Sequence, residues 1–418
     1  MVLAAMVGVS FAMIPTLTLG LFMAPLQAEF GWTRTEISAG LTVFSLVNLP
    51  LVPLAGILVD RYGSRRLALP GLVLSSFAFS AFGLLNGSLV QWFGTWLLFT
   101  VVALAINIMV WTTAVSSAFT KSRGMAIALV LSGSALSQAI APTASRWLID
   151  EIGWRGAYFA LGGLWGGIAF VLGFFLFHDG ARAQAARGSD VTIQAISVPG
   201  LTLGEALRRL TLYRIGLAMF LQTMFTSAAI VHMIPMLTSM GLDRAGAASL
   251  TLVFAAATLA GKLVTGWLVD RVSAAWLPAI SYGGPALSCI LMMQGPGSVE
   301  ILAVAIAILG YSAGAAMQLT AYLATRYVGL RSFGTVYGVF STLMALAGGT
   351  GPLIAGMIFD RTDTYALMLT SGFVATAIAG LATLRLGPYP DFSSQESLRS
   401  EGVAARPLLG CDTVDAGT

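Results

Sequence analysis

The stretch Gly56-Ile57-Leu58-Val59-Asp60-Arg61-Tyr62-Gly63-Ser64-Arg65-Arg66 gathers four charges between two apolar runs. Residues 36–59 before it and 67–86 after it hold one charge between them, Glu36 at the outset. An uncharged run of about 20 residues is what a helix needs to cross a bilayer, so the stretch reads as a short polar connection between two spans. Sliding the chain by 210 residues lays it over Gly266-Trp267-Leu268-Val269-Asp270-Arg271. The same shift sets Pro25 on Pro235, Gly31 on Gly241, Arg34 on Arg244, Phe44 on Phe254, Gly124 on Gly334, Pro142 on Pro352 and Asp150 on Asp360. Landmarks this dense at one spacing mark an internal duplication.

Outward from that connection, the chain divides into twelve apolar runs, near 2–27, 36–59, 67–86, 91–119, 124–148, 156–177, 212–239, 246–269, 276–294, 299–325, 334–359 and 365–386. Six repeat as six, and because six is even the halves keep one orientation. The expectation is an all-α membrane protein of twelve transmembrane helices in two pseudo-symmetric six-helix bundles. Residues 1–177 form the first bundle, 178–211 a cytoplasmic linker, 212–386 the second bundle and 387–418 a cytoplasmic tail. Parallel halves related by an axis along the membrane normal are an architecture of secondary transporters that rock about a midplane site. The composition agrees. Of 418 residues, 57% are hydrophobic and 10% charged, against roughly 25% charged in a typical soluble domain. Mean hydropathy is +0.85. A soluble enzyme, a secreted disulfide scaffold and a nucleic-acid binder are excluded, and Cys289 and Cys411 read as free thiols.

Basic residues orient the spans. Sixteen of the 22 fall on the side of the Gly56–Arg66 connection, and five, Arg34, Arg146, Arg155, Arg244 and Arg361, on the other. Short cytoplasmic connections collect Lys and Arg, so the first side is cytoplasmic and both termini lie there. The remaining cation is Lys262, eight residues before Asp270, or roughly 12 Å into a helix. All eighteen acidic residues lie in connections, at helix ends or in the tail, so Lys262 has no protein counter-ion in view. A deep charge costs at least about 2.5–3.5 kcal/mol and marks a functional site by default. Ala255, Thr258, Thr265 and Gly266 share its helical stripe, whereas Val253, Ala260, Val264 and Trp267 lie on more apolar faces. This pattern turns Lys262 toward a cavity and an anion. Further candidates for the cavity wall are Tyr311, Gln318 and Tyr322 on one face, Asn107 and Trp111 one turn apart, and Gln222 with His232.

Gly310-Tyr311-Ser312-Ala313-Gly314 matches the nucleophile elbow of hydrolases by letters alone. That elbow needs a strand, a sharp turn and acid and histidine partners, and the match lies inside an apolar helix, where G-x-x-x-G is a packing face. No metal-ligand motif accompanies it. The chain is not read as an enzyme, and no cofactor is expected.

Gly56–Arg66 resembles the G-x-x-x-D-R-x-G-x-R-R signature of the major facilitator superfamily, with a weaker copy at Gly266–Arg271. The resemblance implies a gate at the cytoplasmic face built from Asp60, Arg61, Gly63, Arg65, Arg66, Asp270 and Arg271, each aspartate latching onto a helix N-terminus of the other half. A carboxylate gains stabilisation from such a dipole end. Glu29-Phe30-Gly31-Trp32-Thr33-Arg34-Thr35-Glu36-Ile37-Ser38, with Thr33 or Thr35 as helix cap, and Lys121-Ser122-Arg123-Gly124 are similar to the bacterial monocarboxylate-porter and oxalate/formate-antiporter branch. That branch implies a cationic side chain four residues before the glycine of the eighth span, holding the substrate carboxylate. Lys262 stands four before Gly266, in place of the branch's arginine, and Thr258 stands where related proton symporters carry an aspartate. Ala141-Pro142-Thr143-Ala144-Ser145 departs from the G-P-x-x-G cluster of drug antiporters. The resemblance implies alternating-access transport of a small organic anion, a monocarboxylate first, with efflux of drugs or other metabolites as the alternative. Expected partners are that anion, the lipid bilayer of a bacterial inner membrane, and a coupling proton or counter-anion, with the chain acting as a monomer.

Overall fold

A computed structural model describes residues 1–119, 123–178, 201–271, 276–329 and 332–387. Among them the regular elements are helices. The first half runs through α1 (Val2–Phe30), α2 (Arg34–Tyr62), α3 (Ser64–Ser80), α4 (Leu89–Ala103), α5 (Ile108–Ala118), α6 (Arg123–Leu131), α7 (Gly133–Ala160) and α8 (Gly166–Leu176). A short α9 (Leu203–Leu207) then leads into α10 (Leu210–Ser239), α11 (Arg244–Arg271), α12 (Leu277–Gln294), α13 (Val299–Val328), α14 (Phe333–Thr362) and α15 (Ala366–Thr383).

Ten stretches are long and apolar enough to cross a membrane. One of them, Met125–Leu176, has 52 residues, about 78 Å of helix at 1.5 Å per residue against about 30 Å of hydrocarbon. It breaks at Gly153, where φ is 73° and ψ 166°, a left-handed conformation that glycine adopts without a Cβ penalty. That stretch therefore holds two crossings, and the 18 residues of α12 supply another. The fourth run is also interrupted. After a 3₁₀ turn at Leu104–Ile106, Asn107 leaves helical geometry at ψ 149° and its side chain caps α5 by accepting from the Met109 amide at 3.1 Å.

Packing separates along the chain. Among the described residues, one buried apolar cluster draws on residues 4–177, with Val231 as its only later member. Two others draw on residues 201–386, with Leu21 as the only earlier member among the described residues. Rings fill the first cluster: Phe82 lies 5.4 Å from Trp92, 5.1 Å from Trp96 and 5.4 Å from Tyr158 between centroids. Lipid tails are as apolar as leucine, so helices in a bilayer associate through close packing rather than through burial of apolar area. Glycines supply that closeness between α11 and α13. Gly310 lies against the Phe254 carbonyl, Gly314 against that of Thr258, and Gly261 against that of Tyr311. A Cβ on Gly314 would collide with the Thr258 oxygen.

The halves meet along three seams, α2 with α14, α7 with α11, and α1 with α10. The Gly56–Arg66 end is termed the signature end and the opposite one the distal end. Polar contacts between described residues of the two halves run from the level of Ser134 and Lys262 to the distal end.

Candidate functional site

The helix α11 carries Lys262 where it meets α7. Ala255, Thr258 and Thr265 on the same stripe are buried, while Ala260, Val264 and Trp267 face outward. The lysine is half-buried, and its Nζ lies 3.5 Å from Ser134 Oγ in the opposite half. The Ser134 hydroxyl donates its own hydrogen bond to the Leu131 carbonyl at 2.8 Å, leaving lone pairs for the ammonium. The recorded ion pairs among the described residues, Arg146–Asp150 and Arg155–Glu29, do not involve Lys262. An ammonium held by one hydroxyl retains donors for an arriving anion. On the distal side of this level, Leu17, Gly20, Gln138, Pro142, Met233, Thr251 and Phe254 line a small void between the halves, and the side-chain amide oxygen of Gln138, Oε1, is buried with no partner among the described residues.

At the distal end the sequence builds a clamp. Thr33 caps α2 and forms a capping box with Glu36: Glu36 N–H donates to Thr33 Oγ1 at 3.2 Å, and Thr33 N–H to Glu36 Oε2 at 2.8 Å. This leaves the amides of Arg34 and Thr35 without an intrahelical acceptor. Both donate to the carboxylate of Asp360, at 3.0 and 2.8 Å, and the Thr35 hydroxyl adds a third bond at 2.5 Å. Asp360 belongs to α14, in the other half. A charged acceptor on unpaired amides at a positive helix end is stabilised by about 0.3–2 kcal/mol. The Arg34 guanidinium lies 3.5 Å above the Phe359 ring and donates to the Tyr365 hydroxyl. Burial pushes the pKa of that hydroxyl upward, so it keeps its proton. His232, fully buried on α10, completes the cluster. Its Nδ1 lies 3.0 Å from Tyr365 Oη, and its Nε2 lies 3.0 Å from the Pro352 carbonyl and 3.2 Å from Ser38 Oγ of α2.

The other sequence candidates are spread out. Tyr311, half-buried, approaches Thr265 Oγ1 at 3.4 Å, one turn from Lys262. Gln318 is exposed. Tyr322 accepts from Arg326 Nε at 3.1 Å. Gln222 is buried and donates to Thr226 at 3.1 Å. Trp111 lies in the core of the first half, its indole N–H on the Ile106 carbonyl at 3.0 Å and its ring against Phe177, and Asn107 is the cap of α5. The structure thus groups Lys262 with Tyr311, and takes His232 to the clamp. Arg34, Ser38, Asp360 and Tyr365 were not singled out by sequence reasoning. Arg34 and Ser38 stood in the Glu29–Ser38 string of the branch resemblance, and Arg34 and Asp360 were landmarks of the 210-residue shift, but neither signal speaks of contact between halves.

In the signature segment, Gly63 holds φ at 84° while α2 passes into α3, a backbone state that favours glycine. Arg65 donates to the Phe174 carbonyl at 2.7 Å, tying α3 to the end of α8. Arg61 and Arg66 are exposed, and Arg271 lies 4.6 Å over the Trp267 ring. The side chains of Asp60 and Asp270 fall outside the described residues.

The sequence profile of the Major Facilitator Superfamily matches residues 2–352 and 215–410. Monocarboxylate transporter 11 of Mus musculus is 27% identical over 398 residues, covering 88% of this chain and 82% of its own. The Agnestins efflux protein AgnL12 of Paecilomyces divaricatus is 26% identical over 328 residues, covering 77% and 71%. Among solved structures, a D-xylose-proton symporter superposes with a TM-score of 0.68 at 14% identity, covering 94% of this chain and 98% of its own.

Proposed function

The chain belongs to the Major Facilitator Superfamily, and from that premise we propose that it carries a small organic anion, a monocarboxylate first, by alternating access about Lys262. It is a transporter and not an enzyme. In this reading residues 1–177 and 212–386 are the two rocking bundles, 178–211 is their linker and 387–418 a tail. The sixteen-to-five bias of basic residues makes the signature end cytoplasmic and the distal end outer, in a bacterial inner membrane, so the distal clamp is the outer gate in its closed position. Asp60, Arg61, Gly63, Arg65, Arg66, Asp270 and Arg271 form the inner gate.

One observation carries the anion: a half-buried ammonium, inside the bundle where the halves meet, bonded to a neutral hydroxyl and, among the described residues, to no carboxylate. A bound carboxylate supplies the missing charge in a low-dielectric site, where an unpaired ion is strongly disfavoured. Tyr311 on the neighbouring helix is placed to donate a further hydrogen bond, with Asn107, Trp111, Gln222, Gln318, Tyr322 and His232 supporting the cavity wall or its gates. The similarity to a monocarboxylate transporter supports the substrate class.

The test is binding of labelled lactate to purified protein. Lys262→Gln is expected to abolish it and Lys262→Arg to retain part, because charge survives while reach and geometry change. Undiminished lactate binding by Lys262→Gln would overturn the proposal. The similarity to an efflux protein supplies the competing outcome: a cationic dye that binds better once the lysine charge is gone assigns the site to export of amphipathic compounds instead.

A further inference from the structure

We propose that His232 is a proton-binding site in the outer gate, and that its protonation and closure of the gate exclude one another. The inference rests on the alternating-access reading for the identity of the gate, and on hydrogen-bond geometry for the proton.

The donors and acceptors around the ring fix its state. The Pro352 carbonyl, 3.0 Å from Nε2, can only accept, so Nε2 carries a hydrogen. Ser38 Oγ, 3.2 Å from the same nitrogen, shares it as a second acceptor. On the other side, Arg34 can only donate and does so to the Tyr365 oxygen. The phenol hydrogen then points to Nδ1 at 3.0 Å, where it needs a lone pair. Neutral His232 protonated at Nε2 satisfies every group in the chain Arg34, Tyr365, His232, Pro352. The opposite tautomer sets two acceptors, Nε2 and the Pro352 oxygen, against each other.

An imidazolium breaks the chain. A hydrogen on Nδ1 would aim at the same phenol oxygen that receives Arg34, bringing two cations onto one atom. The Tyr365 hydrogen would lose its acceptor. Two other charged or titratable groups face this site from the packed elements: Asp360 on α14, already committed to the amides of Arg34 and Thr35, and Glu36 on α2, committed to its capping box. Neither contacts the ring. With His232 fully buried, no water replaces the lost partner, and a buried ion without one is costly.

The network ties both halves, since Ser38 and Arg34 belong to α2 while His232, Pro352 and Tyr365 belong to the second half. Separating α2 from α14 exposes the imidazole to water, where an ordinary histidine titrates near pH 6.5. Sign follows from linkage: the open state binds the extra proton, so falling pH favours opening. One proton per transition gives at most about a tenfold change in the open-to-closed ratio per pH unit below that value. It also follows that His232 does not carry its proton inward, because the gate closes only after that proton has left.

The experiment is pulsed electron spin resonance on protein in lipid nanodiscs without substrate, with spin labels at Glu151→Cys and Glu300→Cys, exposed distal positions in opposite halves, in a Cys289→Ser, Cys411→Ser background. Between pH 8 and pH 5 a longer-distance population is expected to grow several-fold or more. His232→Gln, which stays neutral, is expected to flatten that response. Tyr365→Phe removes the donor to Nδ1 and is expected to raise the open population already at pH 8. A parent protein indifferent to pH, or a His232→Gln response equal to the parent's, would refute the proposal, as would a Tyr365→Phe protein indistinguishable from the parent. Lys262→Gln in the same background separates the two readings: it is expected to lose lactate binding and keep the pH response. Lactate binding that survives while the pH response stands defeats the anion assignment alone.

Discussion

At Asp360 one carboxylate does for the distal end what the signature aspartates were expected to do for the signature end. The chemistry is the same, an acid on the free amides of a helix start, but the helix is α2 and the acid comes from α14. Because the Arg34 and Thr35 amides have no acceptor within α2 and rest on Asp360 alone, Asp360→Ala should remove about 1–2 kcal/mol from closure. That is a roughly 5- to 30-fold larger open population, read from the same Glu151–Glu300 distances at pH 8. A distribution unchanged from the parent would show that the clamp does not hold the gate. This residue explains what sequence could and could not disclose. Lys262 was legible because an isolated charge in an apolar run has few reasons to exist, and its helical stripe gave the direction it faces. Asp360 was not, since an acid at a helix end is ordinary and its partner stands 325 residues away in the chain. His232 was legible as a polar residue within a span but not as a member of the clamp, because its partners come from three other elements.

Among the elements, α11 and α13 show most directly how sequence sets packing. The letters of Gly310–Gly314 that imitate a hydrolase motif are the face on which α13 rests against α11, at the turn bearing Lys262. Gly314→Ala pushes a methyl group into the Thr258 carbonyl and is expected to cost about 1–3 kcal/mol, as overpacking does. Gly338→Ala in α14 meets nothing within 4 Å and should be neutral or stabilising through helix propensity. Thermal unfolding of the two variants in one detergent tests the pair, and equal melting temperatures would contradict this account of the seam. Element identity was readable along the chain, since apolar runs of this length have one structural solution in lipid. Interruptions were harder to read. The break at Asn107 falls within a run whose hydropathy never drops, and only a side chain that can cap a helix makes it possible.

On the scale of the whole molecule, duplication gave the halves their shared plan, and the side to which each face belongs is open to a simple check. Arg66→Cys and Glu151→Cys, both exposed at opposite ends, should label from opposite sides of intact cells. An impermeant maleimide is expected to reach Glu151→Cys at once and Arg66→Cys only after permeabilisation; immediate labelling of both would discard the orientation. The plan was visible in the 210-residue spacing, but the seams were not, because two copies of one pattern do not say which faces meet. The copies have also diverged where it matters. Asp360 crosses to α2, whereas its repeat-mate Asp150 stays on its own helix, 3.3 Å from Arg146, and α11 is capped by its own Asp243 at 2.9 Å. The distal rim is therefore a door with its bolt on one jamb. In the proposed cycle the bolt is drawn when α2 parts from α14, so a wedge-shaped inhibitor or antibody loop driven in beside Arg34 is expected to prop the carrier open.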